Sequence, residues 1–166
     1  EPIQGEGGVR IPEPGFLPAL RQRCSEVGAL LIFDEVITGF GRTGKLFAYE
    51  HLGIEPDIMT LAKALASGVP IGAVLARDEV AATFEPGDHA STFGGNCLAT
   101  AAAKTTLETI LQDGLLDNAA QRGAEFMKKL KALKKECPTI QEVRGLGLMI
   151  AVDLDRPAKP VVLRCL

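Results

Sequence analysis

Ala29-Leu30-Leu31-Ile32-Phe33 is an unbroken apolar run, stopped by Gly28 on one side and by Asp34-Glu35 on the other. Such a run is far short of the ~20 residues that cross a bilayer. Between a helix stop and a loop it predicts a parallel strand buried on both faces. Residues 57–61 (DIMTL) predict a second buried strand and residues 71–76 a third. Around them lie stripes at helical spacing. Leu17, Leu20, Cys24 and Val27 mark a helix over 16–27 that Gly28 ends. A second helix is predicted over 97–112 and a third over 116–136. The third has Leu116, Ala119, Gly123, Phe126, Leu130 and Leu133 on one face, and Pro138 ends it.

The remaining segments connect these elements. Residues 1–8 read as a strand end running into a glycine-rich loop. Residues 38–45 contain Gly39, Gly41 and Gly44 and predict a second loop; residues 85–96, polar and glycine-rich, predict a third. Short helical pieces are expected over 47–52 and 78–84, and the opening turns of another over 160–166. Residues 140–154 (IQEVRGLGLMIAVDL) predict a hairpin-like strand pair. Strands alternating with helices indicate an α/β fold with a mostly parallel sheet. The change of pattern after Gly114 divides the chain: residues 1–114 are expected to be part of a large domain. Residues 115–166 would be an interdomain helix and the start of a small α+β domain. The chain opens on Glu1 rather than Met and is expected to be an internal piece of a longer protein.

Composition excludes several function classes. A net charge of −3 argues against a nucleic-acid surface, and Lys128-Lys129 and Lys134-Lys135 read as a solvated helix face. Cys24, Cys97, Cys137 and Cys165 are far apart, with no CxxC pair and no histidine at ligand spacing, so neither a disulfide framework nor a metal site is expected. Reduced thiols in a cytoplasmic compartment are the simplest account. The glycines of Phe40-Gly41-Arg42-Thr43-Gly44 lack the spacing of a phosphate cradle. No GxSxG elbow accompanies His51 or His89, which read as structural or surface residues.

In open α/β sheets, ligands bind outside the carboxyl ends of the strands. Asp34 follows the first predicted strand and Lys63 the second. Singly, each has an ordinary explanation: a strand-closing Asp is often a turn former, and a Lys at a strand exit is usually solvated. Together they suggest more. A buried carboxylate is costly without a positive partner, and a desolvated Lys has a lowered pKa and becomes a usable nucleophile. Pyridoxal phosphate uses both, Lys as its covalent anchor and Asp on the pyridinium nitrogen.

The motifs EPIQGEGG (1–8), LLIFDEVITGFGRTGKLFAYEHLGIEPDIMTLAKAL (30–65), VPIGAV (69–74), STFGGN (91–96) and VRGLGLMIAVDL (143–154) occur in order along the chain. In this the chain resembles the class III aminotransferases, with the 30–65 block most similar to their acetylornithine branch. Asp34 and Lys63 lie 29 positions apart (34 to 63), the family's usual interval. The resemblance implies fold type I of pyridoxal-phosphate enzymes and a homodimer with shared active sites. It implies that Lys63 is the Schiff-base lysine, Asp34 the pyridinium partner and Val36 the apolar residue against the ring face. Thr92 corresponds to the residue that reaches the cofactor phosphate of the neighbouring subunit. Glu6 corresponds to a gate that pairs with an arginine beyond this chain. The implied reaction moves an amino group from N-acetylornithine, or an ornithine-like ω-amine, to 2-oxoglutarate. Another ω-amino donor, an aminomutase on the same scaffold, and a degenerate homologue that only associates with other chains are the alternatives.

Departures accompany the match. Ile37 stands where the family commonly has a glutamine that hydrogen-bonds the ring's phenolic oxygen, and Cys97 where proline is usual. Ala66-Ser67-Gly68 replaces a glycine run beside Lys63. The principal phosphate cup, the stacking aromatic and the substrate-carboxylate arginine correspond to positions before Glu1. Arg42 and Arg144 are expected to be scaffold residues.

Overall fold

In a computed structural model the chain is described over residues 1–165. Helix α1 (Phe16–Val27) precedes strands β1 (Ile32–Asp34), β2 (Ile58–Leu61) and β3 (Ala73–Ala76). Helices α2 (Asp78–Ala81), α3 (Cys97–Gln112) and α4 (Leu115–Glu136) come next, then strands β4 (Ile140–Leu146) and β5 (Met149–Leu154) and helix α5 (Lys159–Cys165). One 3-10 turn, Ala48–His51, lies between β1 and β2, and another, Lys63–Ala66, leaves β2. The helix expected over 160–166 is α5; its predicted last residue, Leu166, lies outside the described residues.

The fold is α/β. β1 and β2 pair in parallel, with Asp34 opposite Thr60. β3 lies antiparallel on the other side of β2, with Thr60 opposite Val74. The strand predicted over 29–33 is shifted, and its burial is one-sided. Phe33 is 2% exposed, whereas its neighbour Ile32 is 55% exposed. The reason lies in the layers: no described element covers the Ile32 face. On the other face, Leu17 of α1 packs on Leu31 and Phe33. Beside it, Met59 and Leu61 meet Phe40 and Ile110 of α3. Each such buried side chain contributes about 1.5–3 kcal/mol.

Asp57 sets the parallel register from the amino ends of the strands. Its Oδ2 accepts the Leu31 amide at 2.7 Å and the Arg21 guanidinium at 2.6 Å. Its own amide donates to the Leu31 carbonyl at 2.8 Å, and the Arg77 amide donates to the Asp57 carbonyl at 3.0 Å. One buried residue thus ties α1, β1 and β2 to the end of β3. Burial alone would raise the carboxyl's pKa, but the Leu31 amide, Arg21 and Arg77 outweigh it and hold the pKa below the usual aspartate value.

The carboxyl-terminal elements lock onto the loop after β1. The Gly147 backbone, in the β4–β5 turn, lies so close to Thr43 that a Cβ there would fall 2.4 Å from the Thr43 carbonyl carbon. On its other side a Cβ at Gly123 of α4 would fall 2.1 Å from the Gly147 oxygen. Three backbones stack here because two residues lack side chains. The Leu148 amide donates to the Arg42 carbonyl at 2.9 Å. Arg42 therefore contributes its backbone, and its side chain is exposed. Arg144 does act as a scaffold residue, donating to the Gly8 carbonyl at 2.6 and 2.8 Å and pairing with Asp153. The predicted apolar face of α4 is covered only in part. Ala119 and Gly123 are buried, while Phe126 and Leu133 are about half exposed, with no described element over them.

Asp57→Asn is expected to lower the unfolding free energy at pH 7 by about 3 kcal/mol, as when a buried ion pair loses one partner. Because the folded-state pKa is depressed, this contribution is present above the unfolded value of about 3.9 and is lost as pH falls through the folded value. Urea melts at pH 7 and pH 3 check both. A variant within 0.5 kcal/mol of the parent at pH 7, an order-of-magnitude threshold for surface changes, would contradict it.

Candidate active site

Asp34 is the last residue of β1. Paired residues on adjacent strands project to the same face, so Asp34, Thr60 and Val74 form one row across the sheet. This is the open face, opposite the core. Asp34 is exposed there, and its Oδ1 accepts the Val36 amide at 2.9 Å, closing a tight turn. No described residue bonds Oδ2. The expectation of a buried carboxylate needing a positive partner is therefore not met at Asp34. It is Glu35, one residue on, that is 0% exposed.

Lys63 enters from the neighbouring strand. β2 ends at Leu61, and the 3-10 turn begins at Lys63 with φ +46°. That left-handed conformation is unfavourable for any residue with a Cβ, and such strain concentrates at functional sites. Ser67, which closes the turn, has φ +49°. The intervening Ala66 is 2% exposed, and the turn packs against α3. The lysine is thus held at a strand exit by an anchored, strained turn. Its side chain is exposed rather than desolvated, and no described residue pairs with it.

A cleft of about 620 Å³ lies along this end of the sheet, lined by Thr60, Leu61, Val74, His89 and Ser91 among others. Thr60 and Val74 continue the row that starts at Asp34. Thr92 belongs to the loop forming the far wall. The Gly94 amide donates to the Ser91 hydroxyl at 2.9 Å. The Asn96 side chain accepts the Ala99 amide at 3.0 Å, capping α3, and donates to the Phe93 carbonyl at 2.9 Å. Phe93 itself is 80% exposed.

Glu6 is exposed on the amino-terminal loop. That loop rests on Ile37, because a Cβ at Gly5 would fall 2.7 Å from Ile37 Cδ1. Val36 is half-buried beside it. The five residues singled out from the sequence thus sit on the strand exits or on loops next to them. His51 is a scaffold residue: its Nε2 lies 3.1 Å from the buried Thr43 hydroxyl. Partial burial holds its pKa below the usual imidazole value, against the opposing effect of the Thr43 backbone.

Comparison with known proteins identifies the arrangement. Residues 1–165 match the family described as Aminotransferase class-III. The chain belongs to the class-III aminotransferases. It is 54% identical to the acetylornithine aminotransferase of Thermosynechococcus vestitus, covering 97% of this chain and 39% of that protein. It matches the solved acetylornithine aminotransferase of Elizabethkingia anophelis at 40% identity with a TM-score of 0.92, over 98% of this chain and 41% of the other. A Toxoplasma gondii ornithine aminotransferase structure, described with partial occupancy of PLP at its active site, matches at 46% identity with a TM-score of 0.89. That match covers 93% of this chain and 37% of the other. The chain spans about two fifths of the length of the curated relatives it matches.

The open strand exits suit the family's cofactor: a carboxylate oxygen without a described partner, a lysine on a strained turn, and an adjoining cleft. Three contributors to the site are not evident from the sequence. Thr60 becomes visible only once register is known, and His89 only once residues 85–96 fold over β3. Glu35 is masked by its neighbour, although it falls on the inward parity between Asp34 and Val36. The strain at Lys63 is testable in the cofactor-free protein. Lys63→Gly is expected to be about 1 kcal/mol more stable to urea than Lys63→Ala, because only glycine adopts this φ without cost. Equal stability of the two variants would show that the turn is not strained.

Proposed function

We propose that the protein containing this chain is a pyridoxal-phosphate-dependent transaminase. The reading moves an amino group from N-acetylornithine, or an ornithine-like ω-amine, to 2-oxoglutarate, giving a semialdehyde and glutamate. The observation that carries it is the placement of Asp34 and Lys63 at the exits of adjacent parallel strands. Family membership and the acetylornithine aminotransferases at about 50% identity support it. Similarity to solved ornithine aminotransferases supports a second donor, ornithine itself.

Bound pyridoxal phosphate would supply an aldehyde that condenses with amines and a ring that accepts the electron pair left when the substrate carbon loses its proton. The chain's own residues would supply the covalent anchor, the ring-nitrogen partner and the proton carrier. Lys63 would hold the cofactor covalently through its amine. When free, the Lys63 amine would carry the proton at the reacting carbon as general base and acid. Asp34, acceptor-only when ionised, keeps a proton on the ring nitrogen. Val36 would be the apolar residue against the ring. Thr92 would reach the cofactor phosphate of the neighbouring subunit of the full-length protein, with active sites shared in a homodimer. Glu6 acts as a gate for the two substrates. A cytoplasmic location, and a boundary near residue 114 between a cofactor-binding domain and a smaller one, complete the reading.

Purified full-length protein, assayed for 2-oxoglutarate-dependent glutamate formation with N-acetylornithine and with ornithine, tests it. Lys63→Ala is expected to lower kcat by at least the 10²–10⁴-fold typical of a lost acid–base group, an order-of-magnitude range. Asp34→Asn is expected to lower it by roughly 10²–10³-fold, the scale of one lost preorganised electrostatic partner. Parent-like turnover in Lys63→Ala contradicts the assignment. Glutamate formation with neither amine contradicts the substrate class.

A further inference from the structure

The one fully enclosed carboxylate among the described residues, Glu35, takes no part in the chemistry above, yet it lies between two residues that do. Every polar atom of it is bonded. Its amide donates to the Thr60 carbonyl at 3.0 Å, extending the β1–β2 ladder one step past Asp34. Its carbonyl accepts the Gly39 amide at 3.0 Å. Oε1 accepts the Tyr49 amide at 2.9 Å, and Oε2 accepts the Ala48 amide at 3.1 Å together with the Thr38 hydroxyl. Both oxygens act as acceptors, and each faces at least one donor that cannot reverse its role. The residue is therefore pinned against two elements, by its backbone amide to the exit of β2 and by its side chain to the 3-10 turn at Ala48–His51. Asp34, by contrast, is exposed, and its one described bond is to the Val36 amide.

We infer that Glu35 is the positioning residue for Asp34. Glu35 fixes the backbone on which Asp34 and Val36 are presented to the cofactor ring, and it touches neither the ring nor the substrate. The inference rests on the proposed cofactor roles of Asp34 and Lys63. Substituting glutamine keeps the size of the side chain but sets an NH₂ group against a backbone N–H on whichever oxygen it replaces. The Asp34 turn is then released while Asp34 itself is intact.

The test uses the full-length protein and pyridoxal phosphate as probe, reading cofactor affinity and the pH dependence of the bound cofactor's absorbance. Glu35→Gln is expected to weaken cofactor binding about tenfold or more, the scale of a coupled neighbouring site. It should also shift the absorbance profile in the direction given by Asp34→Asn. In the Asp34→Asn background the added effect of Glu35→Gln should be under about twofold, because the two act through one group. Thr38→Val, which removes a single donor to Oε2, should change affinity and profile in the same direction but less, and it decides the matter if Glu35→Gln does not fold. Asp57→Asn, at the opposite end of the sheet, controls for lost stability and should leave the profile unchanged. An unchanged profile in Glu35→Gln or Thr38→Val, or full additivity with Asp34→Asn, overturns the inference and leaves Glu35 merely structural. A parent protein that binds no pyridoxal phosphate overturns the cofactor reading, and this inference with it.

Discussion

The parallel register of β1 against β2 is the constraint on which the rest depends. Short strands offer few ladder hydrogen bonds, so contacts at both ends reinforce the register. Asp57 fixes it at the amino ends, drawing in Arg21 of α1 and the Leu31 amide. At the carboxyl ends the Glu35 amide donates to the Thr60 carbonyl and extends the ladder, while its carboxylate holds the loop that follows. A slip of one residue would part buried Asp57 from the Leu31 amide, at a cost of about 1–3 kcal/mol. It would also turn Asp34 from the open face into the core.

The loop after β1, residues 38–45, is accordingly rigid where its composition suggests freedom. It gains order from close backbone packing. Thr43, Gly147 and Gly123 stack where no side chain could fit, and Arg144 ties the β4–β5 hairpin back to Gly8. The amino-terminal loop, the loop after Asp34, helix α4 and the hairpin form one assembly. Its edge sets Gly5 against Ile37, three residues after Asp34. Residues remote in sequence thus share responsibility for the shape of one strand exit.

Much of this architecture is legible in the sequence. Continuous apolar runs mark the strands, 3.6-residue periodicity marks α1, α3 and α4, and strand exits point to Asp34 and Lys63. Residues whose role depends on partners distant along the chain are not legible. The ALLIF run promises two buried faces, but burial of Ile32 depends on a neighbour that no described element supplies. Phe126 and Leu133 are exposed for the same reason. In the sequence Asp57 reads as the start of a strand, and only its contacts with Arg21 and Leu31 reveal a clamp. The φ of Lys63 has no compositional sign, since glycine would be the expected occupant of that conformation. A lysine there implies that its side chain is needed despite the strain.

That need is the centre of the account, and one chemical measurement addresses it. Full-length protein incubated with pyridoxal phosphate, reduced with borohydride and digested should yield a single pyridoxyl-modified peptide, the one containing Lys63. Modification of another lysine in its place, or no cofactor retained after reduction, would contradict the assignment of Lys63 and of the strand exits as the catalytic centre.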